Sequence, residues 1–421
     1  MKIALICKSD STGGAAVVTF RLMNALRANG MDARMIVTEK KSGSPHVIEA
    51  ASQNKSLVPF LAERLRIFAG NGFNRKTLFR IDTASDGLPL HRIPFVREAD
   101  VICLNWVNQG VVSLKGIRKL AALGKPLVWT MHDMWNMTGI CHHAGYCQKF
   151  LGPRGECGDC PLLEHKASKN DLSHKVWQHK RNLYDSVNIN FVAVSTWLAD
   201  TARKSSLMHD SDISVIPNAF DTTTISLPTK TAVSDNRDSA RIIFGAARID
   251  DPVKNHHTLV EATKILADKY PQEAKRLELV TFGSLKDPDA LKGVAIRHTH
   301  LGRISPEEIR DIYESGSVVV STSEWETLPG TLIEGQAWGC VPVALDHGGQ
   351  PDIIDHLSTG YLAPWSDNRK ENALRIAEGI LWGINNRNSV IQIMQHSVIE
   401  KFAENTVAEK YIRLFRKLLN Q

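Results

Sequence analysis

The stretch Ser323-Glu324-Trp325-Glu326-Thr327-Leu328-Pro329-Gly330-Thr331-Leu332-Ile333-Glu334 concentrates chemistry-bearing side chains. Glu326 and Glu334 stand eight residues apart, the first in a loop after a strand and the second near a helix start. So spaced, one carboxylate can accept hydrogen bonds from sugar hydroxyls while the other takes a ribose diol. A second group is Gly13-Gly14, which follows a strand and opens a helix, where backbone amides attract an anion and glycine lets it approach closely. Neither a full G-x-G-x-x-G nor a G-x-x-x-x-G-K-[ST] run occurs, which argues against a dinucleotide cofactor and a P-loop. His132-Asp133 ends a strand in the first half, with Asp133 suited to orient the imidazole.

The elements that must carry these groups read as two alternating series. Strands Lys2–Cys7, Ala33–Thr38, Val101–Leu104, Leu127–Met131 and Asn190–Val194 are separated by helical stretches such as Leu114–Leu123. The polar segment Thr222–Ser239 separates them from strands Arg241–Ala246, Leu277–Phe282, Ser317–Ser321 and Val341–Leu345, interleaved with helices Asn255–Asp268, Pro306–Ser315 and Leu332–Trp338. The tail Asn405–Leu419 has helical spacing at Val407, Tyr411, Leu414 and Leu418. Sheets of this kind bind ligands at the carboxyl ends of their strands, and two facing ones predict a cleft as the active site.

Composition agrees. With 421 residues, 43% hydrophobic and 23% charged, the chain reads as a globular enzyme of two domains. No run of about 18 apolar residues is present and the start lacks a signal-peptide pattern, so a cytoplasmic protein is expected. The net charge of +6 is uneven: residues 1–218 hold 28 Lys and Arg against 18 Asp and Glu, and residues 219–421 hold 23 against 27. The basic half favours an anionic partner, or is simply a solvated basic surface.

The acidic stretch, followed by Gly339-Cys340-Val341-Pro342-Val343 and His347-Gly348-Gly349, resembles the E-x7-E region of retaining GT-B glycosyltransferases of glycosyltransferase family 4. Thr327 stands where the family usually has a glycine. Gly245-Ala246-Ala247-Arg248 and Lys254-Asn255 match the family's Arg and Lys on the donor diphosphate, where two fixed cations can stabilise the leaving group's charge. Val215-Ile216-Pro217-Asn218-Ala219-Phe220-Asp221 is similar to its domain junction. The resemblance implies a catalytic set of His132, Glu326, Arg248 and Lys254. It implies that Gly13, Gly14, Leu328, Pro329, Gly330, Thr331 and Glu334 join Arg248, Lys254 and Glu326 in binding the donor. Trp106, Asn108 and Asp133 are expected on the acceptor side, though Trp106 reads equally as core packing.

Four of the seven cysteines, Cys141, Cys147, Cys157 and Cys160, cluster beside His142 and His143. In a reducing compartment this spacing suggests structural zinc, or else reduced thiols packed in a long loop. Cys-rich insertions after the HD dipeptide are similar in exopolysaccharide-type members of the family. Asp287-Pro288-Asp289 and Asp210-Ser211-Asp212 read as solvated loop residues, since the resemblance makes a catalytic metal unnecessary. Between Gln53 and Ile81, Lys55, Arg64, Arg66, Arg75, Lys76 and Arg80 lie beside Leu57, Phe60, Leu61, Leu65 and Phe68 at roughly helical spacing. Such a stretch can lie on an anionic bilayer, or be a surface helix with its apolar face in the core.

The expectation is therefore an α/β GT-B protein with two Rossmann-like doubly wound domains facing a central cleft. Residues 1–218 are expected to bind the acceptor, 219–404 the nucleotide-sugar, with helix 405–421 packing back on the first domain. The expected activity is retaining, metal-independent transfer of a hexosyl group to a glycan or lipid-linked acceptor in cell-surface polysaccharide synthesis, at the inner face of the cytoplasmic membrane. No catalytic cofactor and no nucleic-acid partner are expected. A GT-B epimerase and a non-catalytic sugar- or nucleic-acid-binding protein are the alternatives. The ordered Arg–Lys and Glu–Glu constellation argues against the last.

Overall fold

The structure is a computed structural model describing residues 1–223, 225 and 239–420. Most of the polar segment Thr222–Ser239 therefore lies outside the described residues. The chain divides into two compact units, Met1–Ala219 with Glu404–Gln421, and Phe220–Ala403.

The first unit holds a parallel sheet of β1 (Lys2–Ser9), β2 (Asp32–Glu39), β3 (Val47–Glu49), β4 (Val101–Leu104), β5 (Leu127–Met131), β6 (Asn190–Ala193) and β7 (Ile213–Val215). Their order is β3-β2-β1-β4-β5-β6-β7, so the direction of winding reverses between β1 and β4. The central strands are apolar on both faces because helices cover both, and all four residues of β4 are buried. Those helices are α1 (Gly14–Ala28), α2 (Gln53–Gly70), α3 (Pro94–Glu98), α4 (Leu114–Ala121), α5 (Leu172–Tyr184) and α6 (Thr196–Lys204). Side-chain caps mark three starts: Ser113 accepts from Gly116 N, Asp171 from Ser173 and His174 N, and Ser195 from Leu198 N.

The second unit repeats the plan with β8 (Ala240–Arg248), β9 (Leu277–Ser284), β10 (Arg297–His300), β11 (Val318–Ser321), β12 (Val341–Asp346) and β13 (Tyr361–Pro364). They run parallel in the order β10-β9-β8-β11-β12-β13, reversing between β8 and β11. Helices α7 (His256–Lys269), α8 (Pro271–Ala274), α9 (Pro306–Glu314), α10 (Gly330–Ala337) and α11 (Arg369–Phe402) follow the strands. The last is 34 residues long and places Ile376, Ala377, Ile380 and Met394 in the core.

The C-terminal α12 (Glu404–Leu419) belongs to the first unit. Val407, Tyr411 and Phe415 recur every four residues and join Met23 and Leu26 of α1 in one core. The Tyr411 hydroxyl is 3.0 Å from Thr130 Oγ1 at the end of β5.

Candidate functional site

Most candidate residues fall on the loops that leave the two strands flanking the reversal, where doubly wound sheets open a crevice; His132 and Asp133 leave the next strand, β5. In the second unit these are the loops after β8 and β11. A bulge shifts the β8–β9 register between Gly245 and Arg248, which turns the end of β8 out of the ladder. Gly283 permits this bend: a Cβ there would sit 1.9 Å from the Ala246 carbonyl oxygen. Arg248 then pairs with Asp251 at 2.6 Å and approaches Asp250 at 3.5 Å.

Lys254 closes a short 3-10 turn, Pro252–Lys254, and Asn255 takes a left-handed φ of 48° before α7 begins. The Lys254 ammonium donates to Glu326 Oε1 at 2.8 Å, and Asn255 Nδ2 donates to Glu324 Oε1 at 2.9 Å. The Thr322 hydroxyl ties the two loops further by donating to the carbonyls of Lys254 and Asn255, at 2.8 and 3.1 Å. Lys254 and Glu326 keep 25% and 19% of their side-chain surface, so the pair is reachable by a ligand.

A third loop completes this site. Gly349 N donates to the Glu326 carbonyl at 2.8 Å, and a Cβ on Gly348 would lie 2.7 Å from that oxygen. Gln350 Nε2 donates to the carbonyls of Ser323, Leu345 and His347 and pins the loop. Leu328 and Pro329 are buried, Gly330 is exposed at the first turn of α10, and Thr331 is partly exposed. Glu334 lies one turn into α10, half-buried, and its charge acts on buried Tyr313. The helix starts at Gly330, two residues earlier than its apolar spacing suggests. His347 is flanked by Trp365, stacked at 4.4 Å, and by Trp325, edge-on at 4.9 Å. The sequence reading did not single out this trio, nor Asp250 and Asp251.

In the first unit, Gly13 has φ 89° and precedes α1, and a Cβ on Gly13 or Gly14 would meet nothing within 4 Å. The space above these glycines leaves the helix amides accessible. His132 follows β5, with Nε2 3.3 Å from Asn105 Oδ1 at the end of β4. Burial pushes its imidazole down to about 4, only partly opposed by Asp133. Since Asn Oδ1 only accepts, neutral His132 donates from Nε2.

Asp133 does not pair with His132. It accepts from Trp106 Nε1 at 3.0 Å and from Trp135 N at 2.8 Å, and it faces His142 Nδ1 at 2.7 Å. The other His142 nitrogen is 2.6 Å from Asp82 Oδ2. Burial works against charging His142, but Asp133 and Asp82 outweigh it and raise the imidazole to about 10. Trp106 packs partly on the core and partly against the His142 ring, while Asn108 is almost wholly buried with its amide nitrogen unpartnered.

Behind this row lies a buried charged layer. Arg64 pairs with Asp82, and Glu63 accepts from the amides of Thr83, Ala84 and Gly110 at 3.1, 2.6 and 2.9 Å. Arg64 was grouped by sequence with the surface cations of α2; the structure corrects this, leaving it 5% exposed. Its partner Asp82 lies eighteen positions away, beyond any helical spacing.

Cys141, Cys147, Cys157 and Cys160 are free thiols, each within electrostatic reach of the other three. Burial pushes Cys141 and Cys157 up to about 12. Among the described residues no three His, Cys, Asp or Glu side chains are arranged to hold a metal ion as they stand. Beside the thiols, the fully buried Lys180 ammonium lies 3.2 Å from the Trp135 ring centre and donates to the carbonyls of Trp135 and Thr138.

Two surface cavities, of about 850 and 420 Å³, occur at the amino ends of β5 and β6 and the neighbouring 210–212 turn. They lie at the opposite end of the sheet from the glycine loop and His132, and contain none of the candidate residues.

Glycosyltransferase Family 4 matches residues 12–224, just over half of the chain, and Glycosyl transferases group 1 matches residues 229–396. WcaC of Escherichia coli K12, named for a colanic acid biosynthesis glycosyl transferase, is 26% identical over 351 residues, 80% of each chain. Among solved structures, the Anabaena protein HepE in complex with UDP and glucose has 16% identity and a TM-score of 0.59, over 99% of this chain and 100% of that one. The pneumococcal O-GlcNAc transferase GtfA in complex with UDP and GlcNAc has 13% identity and a TM-score of 0.64, over 100% and 99%. At such identities the structures establish the fold, two Rossmann-like sheets of the GT-B kind. Motifs, sheet order and sequence match converge: the chain belongs to glycosyltransferase family 4.

Proposed function

We propose that this glycosyltransferase moves a hexosyl group, with retention, from a nucleoside diphosphate sugar to a glycan or lipid-linked acceptor in cell-surface polysaccharide synthesis. The observation that carries the reading is the Lys254–Glu326 pair at 2.8 Å, flanked by Arg248, on the reversal loops of the second sheet. On this reading, Lys254 and Arg248 receive the diphosphate. The bond from the anomeric carbon to the diphosphate oxygen breaks and its electron pair is stabilised by the two cations, so no catalytic metal is needed. The acceptor oxygen bonds to the anomeric carbon and gives up its proton to the departing diphosphate. Glu326 holds the donor sugar and Glu334 the ribose. Leu328, Pro329, Gly330 and Thr331 take the donor in the second unit, and in the first the Gly13-Gly14 loop offers helix amides to it. Neutral His132 offers an uncharged hydrogen bond to the transferred sugar, and Trp106, Asn108 and Asp133 shape the acceptor side.

The colanic acid name of the Escherichia coli relative supports the polysaccharide role, and UDP in the solved neighbours supports a nucleotide-linked donor. Turnover and thermal shift with a panel of UDP-, GDP- and ADP-sugars test the reading. One nucleotide-sugar should stabilise the protein, and Lys254→Ala should lower kcat by about 10²–10³-fold with the fold intact. Near-normal turnover in that variant would remove the diphosphate assignment.

Structural zinc is the cofactor proposed, drawn in by Cys141, Cys147, Cys157 and Cys160 as thiolates. What supports it is the Lys180 amine buried beside them: burial pushes it well below the ordinary lysine range, and thiolates at Cys157 and Cys141 would favour its charged form. Elemental analysis of the purified chain should find about one zinc per molecule, lost in Cys157→Ser with Cys160→Ser. A metal-free protein with normal folding would end the proposal.

A further inference from the structure

The outer face of α2 is apolar. Leu57, Val58, Leu61 and Leu65 are 47, 67, 53 and 68% exposed, and Phe73 and Phe79 in the following loop are 68 and 61% exposed. At about 100° per residue, the four helix positions span one face of about 100°, opposite the inward side made by Ser56, Glu63 and Ile67, with buried Arg64 at its border beside Leu57. These exposed leucines depart from the reading of a surface helix with its apolar face in the core. Monomeric proteins rarely expose so contiguous an apolar patch without a use for it.

The charge around the patch is predominantly positive, with Asp86 pairing Arg66 at 2.9 Å. Lys55, Arg66, Arg75, Lys76 and Arg80 are exposed on or beside it. The only acid between positions 53 and 80 is Glu63, which is 0% exposed and committed to backbone amides. Apolar side chains that enter an acyl layer, rimmed by cations that meet phosphate headgroups, match the chemistry of an anionic bilayer surface. No helix among the described residues is long and apolar enough to cross a membrane, so contact through this face would be peripheral.

The inner side of α2 also bears on the acceptor loop. Glu63 accepts from Gly110 N at 2.9 Å, and a Cβ on Gly110 would lie 2.5 Å from Phe60 N. The loop carrying Trp106 and Asn108 is thus clamped to the helix whose other face is apolar and basic.

We propose that α2 and the loop to Arg80 form a docking surface for an anionic membrane, setting the acceptor loop at the lipid interface. This rests on the reading of the chain as a transferase that uses a lipid-linked acceptor.

The test is co-sedimentation of the full chain with sucrose-loaded vesicles of phosphatidylcholine alone, or with about 30% phosphatidylglycerol. Binding should require the anionic lipid, weaken with salt, and fall about tenfold or more in Leu61→Ser with Leu65→Ser and in Arg75→Gln with Lys76→Gln. These side chains are exposed, so both variants should unfold within a few degrees of the parent. Binding that is equal on both vesicles, or unchanged in both variants, overturns the proposal. So does self-association in sedimentation velocity that Leu61→Ser with Leu65→Ser abolishes, which would assign the face to a second copy. Thermal shift by nucleotide-sugar without vesicles reports on the donor site separately, so loss of one reading leaves the other measurable.

Discussion

His142 Nδ1 and Asp133 Oδ2 are 2.7 Å apart, and the opposite ring nitrogen of His142 is 2.6 Å from Asp82. One imidazolium thus joins two carboxylates, Asp82 lying 60 positions before it in the chain, and Asp133 passes the constraint on to the Trp106 indole.

Replacing His142 leaves Asp82 and Asp133 as neighbouring buried carboxylates with one shared positive charge fewer. His142→Asn is therefore expected to cost about 3–5 kcal/mol in denaturant unfolding. The double change with Asp133→Asn should recover part of that loss. Additive losses would show that the two side chains do not communicate.

His132 gives a signed pH effect. Folded, its imidazole stays neutral down to about 4, whereas an ordinary histidine takes a proton near 6.5. The unfolded chain binds the extra proton in that window, so this group's contribution is full above 6.5 and lost as pH falls towards 4. The difference in unfolding midpoint between pH 7 and 5 should shrink in His132→Gln. An identical difference in both proteins would contradict the assignment.

Gly348 has φ 68° and no room for a side chain against the Glu326 carbonyl. Gly348→Ala is expected to move the Glu326 loop, costing about 1–3 kcal/mol and lowering turnover more than tenfold. Donor affinity and turnover measured together would reveal a variant in which only stability changes.

Phe415 is fully buried in the core shared by α12 and α1. Phe415→Ala should cost about 3–5 kcal/mol, as for large core truncations generally. A loss below about 1 kcal/mol in chemical unfolding would mean that α12 adds little to this unit.

Secondary structure near the site was legible where period and punctuation agree. The strand, Gly13-Gly14 and helix succession is local, as are the apolar runs ending at Met131 and Ser321. The 34-residue α11 was missed because its apolar positions serve different neighbours along its length and form no single stripe. β3, β7, β10 and β13 are the edge strands of the two sheets and are incompletely buried, so no fully buried apolar run marks them.

By itself the sequence determined the two α/β series, the family motifs at Arg248, Lys254, Glu326 and Glu334, and the uneven charge, because each is carried by residues close together in the chain. Tertiary structure decided which of those groups meet: Lys254 with Glu326 across 72 positions, Asp133 with His142 in place of His132, and Arg64 inward with Asp82. It also decided which face of α2 is left outside. Spacing along a helix defines its faces, but only the surface packed against it selects the one to bury, and here that surface offered backbone amides to Glu63 and left the leucines without a partner.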